Sequence, residues 1–143
     1  MKYVSKSTVE TNKVANDFLN TIKAGSEALV VALQGDLGAG KTAFTKEVGK
    51  ILGVEENMHS PTFVIEKIYG IDFKGFKRLI HIDAYRIEKE SELIHLGWNE
   101  IIKEPENLIF IEWPENVSGI IPETAKRINF KFIDNETREI EYA

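Results

Sequence analysis

The chain contains no cysteine. Disulfides, thiolate zinc sites and a cysteine nucleophile are therefore excluded, and a reducing setting, the cytoplasm, is expected. No apolar run approaches the roughly 18 residues that a membrane helix needs. The opening Met1-Lys2-Tyr3-Val4-Ser5-Lys6 lacks an apolar h-region, so no signal peptide is expected. An excess of basic charge is missing as well. Acidic residues number 23 against 18 basic ones, a net charge of −5. A net anion is a poor nonspecific binder of nucleic acid, although a role in nucleic-acid metabolism through a partner stays open. Arginine is scarce: Arg78, Arg86, Arg127 and Arg138 are the whole set, and no two make a tight pair in a lid-like segment.

What is present suffices for one domain spanning residues 1–143. The hydrophobic share of 43% and the charged share of 29% are those of an ordinary globular protein able to bury a core. The most informative stretch is Gly35-Asp36-Leu37-Gly38-Ala39-Gly40-Lys41-Thr42, which fits the P-loop pattern G-x-x-x-x-G-K-[ST]. Ala28 to Leu33 precedes it as a buried strand. Ala43 to Leu52 follows as a helix with Phe44, Val48, Ile51 and Leu52 on one face. Strand, loop and helix are the context the motif requires. Glycines let backbone N–H groups turn inward around a phosphate chain, and the helix N-terminus adds its positive dipole end. In that chemistry Lys41 reaches the outer phosphates from a solvent-facing loop, and the Thr42 hydroxyl holds Mg²⁺. ATP and Mg²⁺ are the expected ligands.

Elsewhere, Thr8 to Ala24 reads as an amphipathic helix with Val9, Val14, Phe18, Leu19 and Ile22 in its stripe, stopped by Gly25. Phe63 to Tyr69 and Lys77 to Asp83 read as strands joined by a turn over Gly70 to Gly75. Glu88 to Leu96 is helical in pattern, and Leu108 to Glu112 is a short apolar strand. Arg127 to Ile133 and Arg138 to Tyr142 form a hairpin around Asp134-Asn135. The alternation predicts an α/β, three-layer P-loop NTPase fold. Its central sheet is mostly parallel, with antiparallel additions that include the C-terminal hairpin.

A P-loop needs an acid at a nearby strand end to place the metal ion or the attacking water. Leu79-Ile80-His81-Ile82-Asp83 and Leu108-Ile109-Phe110-Ile111-Glu112 both end in one. Ligands of open α/β sheets bind beyond the carboxyl ends of strands, so both acids belong at the loop's edge. The residues alone do not say which one meets the metal. Thr62, after Pro61, is either a switch threonine sensing the γ-phosphate or an ordinary turn residue. Trp113 stands in the core, the commoner place for tryptophan, or over the nucleotide site. It is counted with Gly35 to Thr42 as a nucleotide-binding candidate. His59, His81 and His95 show no metal-ligand spacing, and His81, alternating with Ile80 and Ile82, faces the other side of its sheet. None of the three is given chemistry. A guanine-reading N-K-x-D is absent, since Asn12-Lys13-Val14-Ala15 precedes the loop and lacks the aspartate. A small-metabolite kinase is weakened by the missing arginine lid but stands as the alternative.

Five blocks together resemble one family. They are the P-loop itself, Ser60-Pro61-Thr62-Phe63, His81-Ile82-Asp83-Ala84-Tyr85-Arg86, Glu92-Leu93 with Leu96-Gly97, and Ile111-Glu112-Trp113-Pro114-Glu115. In this order they are similar to TsaE, the bacterial ATPase of tRNA threonylcarbamoyladenosine biosynthesis, over nearly the whole chain. The resemblance implies a partner, the TsaB–TsaD heterodimer. That complex transfers the threonylcarbamoyl group to adenosine 37, and ATP hydrolysis is thought to reset it. It implies Lys41 on phosphate, Thr42 and Glu112 on Mg²⁺, Asp83 in hydrolysis and Thr62 as the switch-like residue, so Lys41, Thr62 and Asp83 are the catalytic candidates. Arg86 pairs with an acid or touches the partner. Ala43 departs from the family's usual second threonine, with little consequence because the loop chemistry uses Thr42. Direct tRNA binding by this chain is not expected.

Overall fold

Apolar residues dominate the middle of the central strands β2, β4 and β5, and the structure, a computed structural model, sends alternate ones to opposite faces of one sheet. It describes residues 1–55 and 66–143. The Ser60-Pro61-Thr62 turn, and with it the switch candidate Thr62, lies outside the described residues. The elements are β1 (Lys2–Ser5), α1 (Thr8–Thr21), β2 (Leu29–Gln34), α2 (Lys41–Ile51), β3 (Glu66–Phe73), β4 (Phe76–Asp83), α3 (Glu90–His95), α4 (Trp98–Ile101) and β5 (Asn107–Glu112). A 3-10 segment (Pro114–Ile120), β6 (Lys126–Phe132) and β7 (Arg138–Tyr142) complete them.

The sheet has seven strands in the order β1-β7-β6-β2-β5-β4-β3. Its centre, β6-β2-β5-β4, is parallel throughout. β3, β7 and β1 are antiparallel additions at the two edges. The expected three-layer arrangement is therefore present. Val31, Leu33, Leu79, Leu108, Phe110 and Ile128 pack under α1 and α2, while Val30, Ala32, Ile80, Ile82, Ile109 and Ile111 pack against α3, α4 and the 3-10 segment. This is the period-2 partition that a two-sided sheet requires. β5 is buried at all six of its residues, the most enclosed strand of the molecule among the described residues.

Several expectations need correction. Helix α1 ends at Thr21, three residues short of Ala24, because Ile22 turns to extended backbone and packs into the core. Val9 is 65% exposed, so the buried stripe of α1 is Val14, Ala15, Phe18 and Leu19. The strand expected over Phe63 to Tyr69 is described from Glu66 and runs on to Phe73. The turn placed over Gly70 to Gly75 shrinks to Lys74-Gly75. Lys74 takes a left-handed φ of 51° and donates to the carbonyls of Leu19, Asn20 and Ile22, closing the orphaned end of α1. Strand β1 and the short helix α4 were not anticipated. The C-terminal hairpin formed as expected, with β6 also joining the parallel centre.

Aromatic packing fixes α2 and the loop it carries. The Phe44 ring lies 6.3 Å from Phe18, 6.4 Å from Phe110 and 5.4 Å from Phe130, reaching a helix and two strands at once. We expect Phe44→Ala to lower unfolding free energy by about 3–5 kcal/mol, the usual cost of emptying a buried aromatic site. Chemical denaturation monitored by far-ultraviolet circular dichroism measures it, and a loss below about 1 kcal/mol would mean that this cluster does not anchor the helix.

Candidate nucleotide site

Strand β2 delivers the chain into the glycine-rich loop at the carboxyl edge of the sheet. Gly35 has no room for a side chain: a Cβ there would stand 2.5 Å from the Phe130 carbonyl oxygen. Gly40 opens α2 at a left-handed φ of 104°, so the first turn of the helix begins directly behind the loop. Lys41 and Thr42 are its first residues.

Contrary to the expectation of a solvent-facing lysine, Lys41 is 4% exposed. Its ammonium donates to the Gly35 carbonyl and sits 3.4 Å from the centre of the Trp113 ring. Burial holds its pKa below the usual lysine value, opposed by the nearby charges of Glu112, Glu115, Asp83 and Asp36. Trp113 lines the cleft, half-buried and packed in part against the core, with the Tyr85 ring at a centroid distance of 5.0 Å. Its backbone is left-handed (φ 59°), a strained state for a tryptophan.

The parallel register sets Asp83 directly beside Glu112 at the ends of β4 and β5. Both expected acids therefore stand at the loop's edge. They are not equivalent. Glu112 is 3% exposed, and the Thr42 hydroxyl lies 3.1 Å from each of its carboxylate oxygens, donating to them. Asp83 is half-buried and accepts a hydrogen bond from the Tyr85 N–H at 3.0 Å, which shapes the loop after β4. Asn116 steadies that loop by donating to the carbonyls of Ala84 and Tyr85.

Two contributors were not foreseen. His81 faces away from Ile80 and Ile82, as read from sequence, but that side carries α2, and its Nε2 lies 2.7 Å from a Glu112 oxygen. The one available sign was a lone polar residue inside an apolar strand. Arg138, on β7, donates through Nε to the Gly38 carbonyl at 2.9 Å and so ties the hairpin to the loop. No local pattern marks it.

The loop from Leu37, the two acids, Trp113 and Arg138 line one cleft of about 850 Å³, with His81 behind Glu112 and outside the lining. Lys41, Thr42, Asp83, Glu112 and Trp113 form one end. Thr8, Thr11, Phe130, Arg138 and Ile140 wall the remainder, and Arg86 lies exposed on the rim. The donor set suits a hard, oxygen-seeking cation. A hydroxyl and a carboxylate already converge, and Mg²⁺ characteristically takes only one or two protein oxygens beside phosphate and water. No group of three or more His, Asp or Glu that could hold a metal by themselves occurs among the described residues. The set therefore fits a phosphate-assisted site and not an all-protein cage.

A parallel-centred sheet whose glycine-rich loop opens a helix at the carboxyl edge, facing acids on neighbouring strand ends, defines a P-loop NTPase fold. The family model described as "Threonylcarbamoyl adenosine biosynthesis protein TsaE" matches residues 5–140, and the chain belongs to the TsaE family of tRNA threonylcarbamoyladenosine biosynthesis. A TsaE protein of Rickettsia typhi is 37% identical over 92% of this chain and 87% of its own length. One from Bacillus subtilis is 34% identical over 99% and 84%, and one from Treponema pallidum 33% identical over the full length of both. The crystal structure of Bacillus subtilis YdiB superposes with a TM-score of 0.77 at 29% identity, covering 99% of this chain and 83% of that one. No helix among the described residues is long and apolar enough to cross a membrane.

Trp113 touches Lys41, whereas Trp98 is fully buried under α3 and the 3-10 segment. Adding ATP with Mg²⁺ should therefore change the tryptophan emission of a Trp98→Phe variant and leave that of Trp113→Phe unchanged. A response that survives in Trp113→Phe would show that the indole does not stand over the ligand.

Proposed function

We propose that the chain binds ATP with Mg²⁺ in this cleft and hydrolyses it. It thereby serves tRNA N6-threonylcarbamoyladenosine formation at position 37 as an accessory to a TsaB–TsaD heterodimer, without transferring the threonylcarbamoyl group itself. The observation that carries the reading is the meeting of Lys41 and Thr42, at the start of α2, with the paired strand-end acids Asp83 and Glu112. Family membership supports the place in tRNA modification.

On this reading the loop from Gly35 to Thr42 wraps the phosphates with backbone N–H groups, and the rest of the cleft accommodates the nucleoside. Lys41 exchanges its carbonyl and indole contacts for phosphate oxygens. Thr42 and Glu112 would hold Mg²⁺, which would supply neutralising charge to the phosphates. Asp83, more open to solvent than Glu112, orients the water that attacks the γ-phosphorus, giving ADP and inorganic phosphate. Thr62 is proposed as the γ-phosphate sensor. The kinase alternative is not favoured: Arg78 is engaged by Glu104, Glu106 and Asn107, Arg138 by backbone carbonyls, and Arg86 alone stands exposed at the cleft without a second arginine free beside it.

Three variants separate the roles. Lys41→Ala should abolish productive ATP binding while the fold is retained, which circular dichroism checks because Lys41 is buried beside Glu112. Glu112→Ala should weaken Mg²⁺-dependent binding. Asp83→Ala should keep nucleotide affinity and suppress hydrolysis. Calorimetric ATP titrations at several Mg²⁺ concentrations, with phosphate release assayed without any acceptor, distinguish these outcomes. Wild-type affinity in Lys41→Ala would overturn the site, and turnover only with a metabolite acceptor would favour the kinase. The resetting role predicts that TsaB–TsaD changes the phosphate-release rate.

The tRNA should be held by TsaB–TsaD, with this chain docking through loops near Thr62 and Asp83. Its 23 acidic side chains against 18 basic ones oppose phosphate contact. We expect no tight association of the isolated chain with tRNA even at low salt, where electrostatic attraction is strongest. Submicromolar binding in a filter assay, on the order of specific protein–nucleic acid affinities, would assign tRNA contact to this protein instead.

A further inference from the structure

His81 is a core residue by burial, 1% exposed, yet an imidazole is a costly way to fill a core. Its strand neighbours on that face, Leu79 below and Phe110 across in register, are apolar, and a leucine would fill the position. Its Nδ1 has no hydrogen-bond partner among the described residues, which adds to the cost. Its single polar contact is the 2.7 Å one to Glu112 Oε2. A carboxylate only accepts, so Nε2 carries the proton, and this tautomer leaves Nδ1 as a bare acceptor and avoids a stranded N–H.

The register explains the contact. His81 pairs with Phe110 and Asp83 with Glu112, so His81 and Glu112 are diagonal neighbours on one face, a spacing long side chains bridge. Glu112 is thus gripped by Thr42 from α2 and by His81 from β4. Two donors fix both the position and the plane of a buried carboxylate.

We propose that His81 is a positioning residue: it holds the Glu112 carboxylate in the orientation that meets Mg²⁺ beside Thr42. The inference rests on the Mg²⁺–ATP reading above. It assigns His81 no contact with nucleotide and no proton transfer. Hydrogen-bonded support behind a metal-ligating group commonly changes metal affinity by about 10–100-fold when removed.

The test is the free Mg²⁺ concentration that half-saturates the metal-dependent gain in ATP affinity, read by calorimetry on the full chain. His81→Leu should raise it by about 10–100-fold while ATP affinity in EDTA stays at the wild-type value. His81→Gln, whose amide nitrogen reaches about as far as Nε2, should stay near wild type. A wild-type midpoint in His81→Leu, or equal shifts in the Leu and Gln variants, overturns the proposal. If circular dichroism shows His81→Leu unfolded, His81→Asn replaces it, since its shorter amide falls short of Glu112. Equal midpoints for Asn and Gln then overturn the proposal. Wild-type ATP binding that ignores Mg²⁺ would instead remove the underlying reading, and the inference with it.

Discussion

A buried carboxylate is the constraint on which the rest of this structure turns. Glu112 ends the most enclosed strand of the sheet, where an ionised group without partners would cost several kcal/mol. It is retained because three side chains from two elements supply what it lacks. α2 brings the Thr42 hydroxyl, β4 brings the His81 imidazole, and the Lys41 ammonium adds a favourable field. Each supplier must be placed to within a fraction of an ångström for the arrangement to hold. The aromatic packing of Phe44 and the parallel register of β4 on β5 are what achieve that placement.

Lys41 shows the opposite side of the same economy. Its burial lowers its affinity for a proton, while the acids around it work to keep the charge. The indole of Trp113 and the Gly35 carbonyl partly replace lost water. A cation held this way is poorly solvated and strongly attracted to any anion that enters the loop.

The parts of the molecule that could be read from sequence are those whose physics is local. The loop declares itself by glycine spacing. β2 and β5 declare themselves by continuous apolar runs and β4 by a run interrupted only at His81, and Asp83 and Glu112 by their place at the ends of those runs. What could not be read depends on contacts distant in the chain. His81 and Glu112 lie 31 positions apart, and Arg138 and Gly38 lie 100 apart. Only the strand order and register bring them together. The buried state of Lys41 was invisible because it depends on the direction of one indole ring. The short β1 was missed for a related reason: three of its four residues are at least partly exposed, and pairing with β7 defines it more than any periodicity.

The sheet's polarity also gives the molecule two unlike ends. All cleft-forming acids and the loop lie at the carboxyl ends of the parallel strands. The Lys74-Gly75 turn and the Lys103–Glu106 connection lie at the opposite end, beside the first residues of β4 and β5. Asp72 and Lys103 are exposed there. A cysteine introduced at either position would be the molecule's sole thiol, since the natural chain has none. A fluorophore or spin label could thus be attached at the end opposite the glycine-rich loop, leaving the edge that carries the cleft unmodified.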